Sequence, residues 1–379
     1  MSGAEAINAT SPTHIPMSIP QNPEPHVMAL LLTVLLLVLV LPFVYKVIEE
    51  NLEPFFLTMG IITVAGLYTM GIISAEGVKE LAKIAMKTPV FISGVPIGIT
   101  QVVLIAGLVF YYFHEQIYGG IRSLYNKLGP FMFGVVFVTF FGLTSSIISV
   151  IVTAVILAEV AAALPITRST RVKFVVIAAF AVGMGAALTP VGEPLSTIAI
   201  SKLGKHFTYL LDLIGYLIIP GVIAISLLAG KVLSTDKSSA QEFKAEYTET
   251  LYTVIMRAVK VYMFVAALEL LGNGFTPLVV WYFSKIPGYI LYWVNMISAI
   301  LDNATLTAAE IGPQLTEFQV KSALMGLIIS GGMLIPGNIP NIVASGRLKI
   351  TSKEWARIGV PLGLVLMTVY FIIVEVLKL

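Results

Sequence analysis

An all-α, polytopic membrane protein is expected from this chain on three grounds. The first is composition: of 379 residues, 57% are hydrophobic and only 12% charged, where a soluble domain carries about a quarter charged residues. Mean hydropathy is accordingly high, at +0.93. The second is a succession of apolar runs, each near the ~20 residues a helix needs to cross a bilayer. The third is a pair of interruptions, Leu188-Thr-Pro-Val-Gly-Glu-Pro-Leu-Ser-Thr197 and Leu334-Ile-Pro-Gly-Asn-Ile-Pro-Asn-Ile-Val343. Proline lacks an amide donor and clashes with the preceding turn, so a pair spaced four apart breaks a helix. Broken backbone in lipid is tolerated only where protein encloses it or it lines a cavity. Matching breaks in two halves of a chain point to the binding site of a secondary transporter. The full expectation is a polytopic helical transporter with two inverted repeats, each with a re-entrant hairpin and a broken helix.

Taken in order, residues 1–27 are polar, Pro-rich and free of Lys and Arg. They lack the basic start of a signal peptide and are expected to form a disordered tail. Residues 28–89 carry the N-terminal transmembrane helices, at 28–46 and 54–74, followed by an outer loop at 75–89. The first repeat, 90–233, reads as a span at 90–113, a hairpin at about 131–164, a broken helix at about 171–204 and a span at 207–231. A cytoplasmic linker at 234–257, the longest polar stretch, separates it from the second repeat, 258–379. That repeat reads as a span at 258–283, a hairpin at about 287–313, a broken helix at about 318–345 and a span at 354–376. A Gly-rich helix half precedes each break, Gly183-Met-Gly-Ala-Ala in one copy and Gly331-Gly-Met in the other.

The repeats align without gaps in their hairpins, Ile147-Ile-Ser-Val-Ile-Val-Thr153 on Met296-Ile-Ser-Ala-Ile-Leu-Asp302, and Pro190 and Pro194 align with Pro336 and Pro340. Three crossings, an odd number, separate equivalent elements, so the two copies should be inverted in the membrane. With the N-terminus outside, fifteen of the 23 basic residues fall on the inner side, as the positive-inside rule favours for a multi-pass protein of the cell membrane.

Several classes are excluded. A net charge of +2 with no basic cluster does not suit nucleic acid. The absence of cysteine removes disulfides, thiol catalysis and Cys-based metal sites. No Walker A loop, dinucleotide turn, nucleophile elbow or His-Glu-x-x-His pair occurs, so neither an enzyme nor a bound cofactor is indicated. Uphill transport would then be driven by an ion gradient.

Acids within the membrane are costly and mark function. Glu159, Glu193, Glu269, Asp302 and Glu310 fall in apolar segments, and no Lys or Arg lies at mid-span. Each acid is therefore expected to be protonated, or neutralised by a metal cation or water. Glu193 sits at the first break with Thr189, Ser196 and Thr197 nearby. Carboxylate, hydroxyl and freed carbonyl oxygens are hard ligands suited to Na⁺, while a helix N-cap role is compatible with this. Asp302-Asn303, followed by Thr305 and Thr307, lies at the expected tip of the second hairpin, where ion binding competes with simple capping. The first hairpin offers hydroxyls instead, Ser145, Ser146, Ser149 and Thr153. Asn338 and Asn341 mirror the first break and suit either unwound backbone or substrate. Glu159 and Glu310 suit a solvated or helix-end role. Asp302 and Glu193 are the expected sodium ligands.

At these residues the chain resembles the ion transporter superfamily, which includes NhaD-type sodium/proton antiporters, arsenite permease-like carriers and sodium-coupled dicarboxylate carriers. Ser298-Ala-Ile-Leu-Asp-Asn303 resembles the NhaD-type Ser-Ala-x-x-Asp-Asn signature. Gly185-Ala-Ala-Leu-Thr-Pro-Val-Gly-Glu193 with Thr197 resembles the Gly-x-x-x-Ser-Pro-x-Gly-Asp-x-x-Thr stretch. Size and the Pro-Gly-Asn-Ile-Pro-Asn motif resemble a small prokaryotic branch of cation transporters, DUF1646-like. The resemblance implies a cation site at Asp302, Asn303, Glu193, Thr189 and Thr197, Na⁺ and H⁺ as exchanged ions, and a homodimer in the bilayer. Two departures stand out: the first hairpin reads Ile151-Val-Thr-Ala154 where NhaD-type proteins carry Asp-Asn, and the acid at the first break is Glu193 rather than Asp. The rival reading is Na⁺-coupled uptake of a small organic or inorganic anion, drawn by half-helix N-termini. A membrane scaffold without transport needs neither the paired breaks nor the intramembrane acids.

Overall fold

The computed structural model describes residues 6–10, 16–45, 47–48, 51–91, 98–236, 250–282, 287–301, 303–312 and 315–378. Among these residues the chain is all-α apart from one N-terminal hairpin. Ala6–Thr10 (β1) and Pro16–Pro20 (β2) pair antiparallel, Ala6 opposite Pro20 and Thr10 opposite Pro16. The expectation of a disordered tail is corrected here. Alternation puts Met17 and Ile19 on one face of β2, and both are buried. Ser18 N donates to Ile72 O at 2.9 Å and Trp281 Nε1 to Pro20 O at 2.7 Å. The strand is thus fixed to the body by apolar burial and by its own backbone.

Helix α1, Pro25–Val44, starts with proline in its first turn, where the missing amide costs nothing. Helix α2 spans Leu52–Thr69. The segment expected as an outer loop is instead α3, Ala75–Lys87. Ser74 caps it by accepting from Gly77 N at 3.1 Å, and Gly77, Leu81 and Ala85, one turn apart, form its buried stripe. Its lysines had hidden that stripe from a search for apolar runs.

Helix α4, Ile99–Ile148, is three helical stretches separated at Phe113 and at Gly129, whose φ of +73° precedes Pro130. Ser149, at φ +88°, is the single residue between it and α5, Val150–Ala163. The first broken helix follows as α6, Arg168–Ala186, and α7, Pro194–Leu203. Then come α8, Tyr209–Ser234, and α9, Leu251–Gly274, continued by α10, Thr276–Tyr282. Helix α11, Gly288–Val294, passes into a 3₁₀ turn, Asn295–Ala299, and α12 runs from Asn303 to Glu310. The second broken helix comprises α13, Glu317–Gly331, a 3₁₀ turn, Ile335–Gly337, and α14, Ile339–Leu348. Helix α15 is Ser352–Phe371. Threonine caps with a partner three residues on, Thr316 with Gln319 and Thr351 with Glu354, set the starts of α13 and α15. Among the described residues, six helical stretches are long and apolar enough to cross a membrane: Pro25–Pro42, Leu52–Thr69, Glu115–Ile148, Arg168–Ala186, Tyr209–Ser234 and Ser352–Val376. The other expected spans are built from shorter or more polar helices.

Helix α6 is buried almost all round, which marks it as the central helix. It runs opposite to the second broken helix: Arg168, at the start of α6, donates to Leu348 O at 2.8 Å and Lys349 O at 2.7 Å, just past α14, and pairs with Glu354 at 3.0 Å. Lysines mark the other end of the bundle, Lys321 donating to Tyr216 Oη and Lys378 pairing with Glu375. The halves also interlock across the centre. Helix α5 packs on α14, and α12 packs on α7.

Close packing about α6 depends on its small residues. A Cβ at Gly185 would lie 1.8 Å from Gly142 O, so α4 and α6 touch backbone to backbone. Gly185→Ala is expected to lower stability by about 1–3 kcal/mol through overpacking. Thermal unfolding in detergent checks this, with Gly346→Ala as the control, since a Cβ there meets nothing within 4 Å. Equal behaviour of the two variants would refute the close contact.

Candidate functional site

At the first break the unwound backbone is satisfied locally. Ser196 Oγ donates to Ala187 O at 2.9 Å, Thr197 Oγ1 to Pro190 O at 2.6 Å, and Gly192 N to Thr189 O at 3.1 Å. The neighbouring strand of chain contributes as well. Val150 N donates to Gly192 O at 2.8 Å, Thr189 Oγ1 donates to Ser146 O, and Ser145 Oγ reaches Val182 O at 3.0 Å. The junction of α4 and α5 is thereby fastened to the first break. Glu193, 4% exposed, is enclosed immediately before α7, where the helix dipole favours an anion.

The second break repeats this plan with different groups. Asn341 Nδ2 donates to Gly331 O at 2.8 Å and Leu334 O at 2.7 Å, and Trp355 Nε1 donates to Gly332 O at 3.1 Å. Ser330 Oγ donates to Asn295 O at 2.7 Å, and a Cβ at Gly337 would fall 2.7 Å from Ser298 O. The turn Asn295–Ala299 therefore sits against the second break as Ser145–Ser149 sits against the first. The second break also meets α6: a Cβ at Gly183 would lie 2.6 Å from Asn338 Nδ2, and one at Gly332 would lie 2.5 Å from the Phe180 ring.

The expected site residues divide accordingly. Glu193, Thr189 and Ser196 lie together at the first break, with Thr197 exposed at its edge. Ser149 and Thr153 begin α5, where Ser149 Oγ accepts from Ile151 N at 3.4 Å and Thr153 Oγ1 donates back to Ser149 O at 3.0 Å. Both hydroxyls thus serve the local helix start. Asn338 caps α14 by accepting from Ile339 N at 2.8 Å. The Asn341 amide donor is spent on unwound carbonyls, while among the described residues its Oδ1 is buried without a partner. Asn303 is buried at the start of α12, accepts from Thr307 Oγ1 through its carbonyl at 2.8 Å, and has an unpartnered Nδ2. Asp302 lies outside the described residues. So does the side chain of Thr305. Among the described residues no group of three or more His, Asp or Glu side chains converges as a metal site.

One cluster was not foreseen. Glu159 Oε1 accepts from Arg347 Nε at 2.7 Å and lies 3.5 Å from Arg257 Nη1, with the three side chains 2%, 11% and 9% exposed. Arg347 Nη2 also reaches Tyr118 Oη at 3.4 Å. Of the solvated or helix-end roles expected for Glu159, solvation is corrected, and so is the lack of a buried cationic partner. Glu159 stands nine residues past the start of α5 at Val150, and Arg347 eight past the start of α14 at Ile339. Helix α5 packs along α14 and so brings these ends together. The matching offsets were the available signal, and the arginines were set aside because they fall near segment ends. Glu310, in the corresponding arm of the other half, is buried and accepts from Asn295 Nδ2 at 3.0 Å. Glu269 is half-buried and accepts from Asn273 Nδ2.

An apolar exterior around two interrupted helices, with Glu193 and Asn341 buried at their breaks, is that of a polytopic helical membrane protein. The chain belongs to the DUF1646 family, described as a protein of unknown function, whose model matches residues 28–377. No curated protein matches the chain.

Removing one partner of a buried ion pair leaves the other charge uncompensated, at a cost of about 3–5 kcal/mol. Glu159→Gln is expected to destabilise by that order, since it removes the acid that meets both guanidinium groups, and adding Arg347→Ala to recover part of it. Thermal unfolding of the single and double variants checks the coupling, and strict additivity would argue against the pair.

Proposed function

We propose that this protein is a secondary active transporter that exchanges a monovalent cation, Na⁺, for H⁺ by alternating access. The observation that carries the reading is Glu193, a buried acid held at the break of the first helix, directly before α7. A carboxylate in such a place is costly unless it binds something. In this reading Asp302 and Glu193 bind cation and proton in turn, and Asn303, Thr189 and the freed carbonyls complete the shell. The resemblance to NhaD-type antiporters at 185–197 and 298–303 supports it.

The two halves act as inverted repeats, and the segments 131–164 and 287–313 as re-entrant hairpins, each gating one face. Three facts favour this. The broken helices run in opposite directions, each hairpin segment is fastened to the break of its own half, and the later arm of each packs on the later half of the other broken helix. Such exchange symmetry suits a site that sees one side at a time. The charge distribution favours a cell-membrane protein with the N-terminus outside, the Arg168 end of the bundle facing the cytoplasm. A homodimer is the assembly that the resemblance implies.

The half-helix N-termini at the breaks keep Na⁺-coupled uptake of a small anion as the second reading. The engagement of the Asn341 amide with Gly331 O and Leu334 O weighs against it, because that donor is already used.

The test is proton flux in proteoliposomes under pulses of Na⁺, Li⁺ or K⁺. Sodium-evoked proton movement is expected from the natural protein, and none from Glu193→Gln or Asp302→Asn. Silence to every cation would sink the exchange reading, and Na⁺-dependent anion uptake would then favour the second.

A further inference from the structure

Among the buried acids, Glu310 is the one whose surroundings leave its charge unanswered. It lies at the last turn of α12, 7% exposed. One carboxylate oxygen, Oε2, accepts from Asn295 Nδ2 at 3.0 Å, and that same nitrogen donates to Ala323 O at 3.2 Å. The other oxygen, Oε1, is buried with no hydrogen-bond partner, and so is Oδ1 of Asn295. The pair presents two enclosed acceptors and no donor for either. Its neighbours are apolar or already engaged: Leu306, Ile311 and Ala323 are buried, Thr307 Oγ1 is spent on Asn303 O, and Tyr292 Oη donates to Met367 O.

The titratable groups on the elements packed against α12 are Lys202 on α7, Glu317 and Lys321 on α13, Tyr252, Arg257, Lys260, Tyr262 and Glu269 on α9 and Tyr282 on α10. Among the described residues none of them makes an ion pair or hydrogen bond with Glu310. An ionised carboxylate held by one neutral amide in an apolar site is strongly disfavoured. A cation would need several more oxygens than this pair supplies. A proton needs one. Glu159 occupies the corresponding arm of the other half and shows the contrast, since two guanidinium groups meet it. Two acids placed alike in environments this different take different roles.

We propose that Glu310 is protonated in this conformation and carries the exchanged proton between the aqueous face and the acids Asp302 and Glu193, with Asn295 as its positioning partner. Its role as carrier rests on the exchange function proposed above, whereas its protonation does not. On protonation the O–H forms at the orphaned oxygen. Its loss leaves the carboxylate that Asn295 Nδ2 already holds. The proton enters and leaves through water when the second hairpin segment moves.

Infrared spectroscopy of the reconstituted full chain, grown with ¹³C-labelled glutamate, tests this at neutral pH. A label-sensitive C=O stretch of a protonated carboxylic acid is expected, to be lost in Glu310→Gln. If Glu310→Gln does not fold, Glu310→Asp serves, because the new acid carries no label and the shifted band must again vanish. Absence of the band from the natural protein, or its persistence unchanged in the folded variant, would overturn the proposal. Transport separates the two readings. Glu310→Gln is expected to lose Na⁺-evoked proton flux yet retain exchange of ²²Na⁺ for Na⁺, which needs no proton. Proton flux at the natural rate in Glu310→Gln would refute the carrier role. A band that depends on Glu310 in a protein inert to every cation would leave the protonation standing and remove the exchange function.

Discussion

In hydrocarbon a backbone N–H or C=O without a partner costs several kcal/mol, and the arrangement of this protein follows from how it meets that demand at two places. The segments 187–193 and 332–338 abandon the helical ladder at the centre of the molecule. Their carbonyls are then bonded one at a time by Ser196, Thr197, Val150 and Gly192 in one copy, and by Asn341, Trp355 and Gly337 in the other. Several of these donors lie far along the chain, so satisfying the breaks also ties distant elements together. Val150 fastens the α4–α5 junction to the first break, and Trp355 fastens α15 to the second.

The need to bring backbone to backbone explains the composition of the surrounding helices. Helix α6 is rich in Gly and Ala where it meets α4 and α14, and side chains at Gly183, Gly185 or Gly192 would enter space held by Asn338, Gly142 or Ala186. Bulk is placed elsewhere. Phe180 fills the approach to Gly332, and Trp355 packs fully buried behind it. Glycine serves here as the condition for proximity. Proximity in turn is what lets polar groups satisfy each other without water.

How much of this was legible depended on whether the signal was local. The paired prolines at 190/194 and 336/340 announce the breaks because proline acts on its own backbone, and the structure interrupts both helices there. The ordered strand Pro16–Pro20 was missed because its partner groups, Ile72 O and Trp281, are far away in sequence. Helix α3 was missed for the opposite reason: its signal is a one-turn stripe, and a search for long apolar runs cannot see a stripe between lysines. The ion cluster failed on both counts. Arg257 and Arg347 lie near helix ends, where basic residues ordinarily reach water. Only the packing of α5 on α14 turns them inward onto Glu159.

That cluster sets the two halves apart chemically although their plans are alike. On the Arg168 side, α5 and α14 are held together by a charged contact that is strong while shut and costly to break, because separating buried charges requires their rehydration. On the other side, α12 faces α7, and no cation among the described residues answers Glu310. A molecule that must expose its centre to each face in turn needs its two closures to differ little in free energy. A contact held by fixed charges on one face and one whose charge comes and goes with a proton on the other meet that need unequally. Under the exchange function proposed above, the state of Glu310 would set which face opens more readily, coupled to the second break through the turn at Asn295, which touches both the acid and the broken helix.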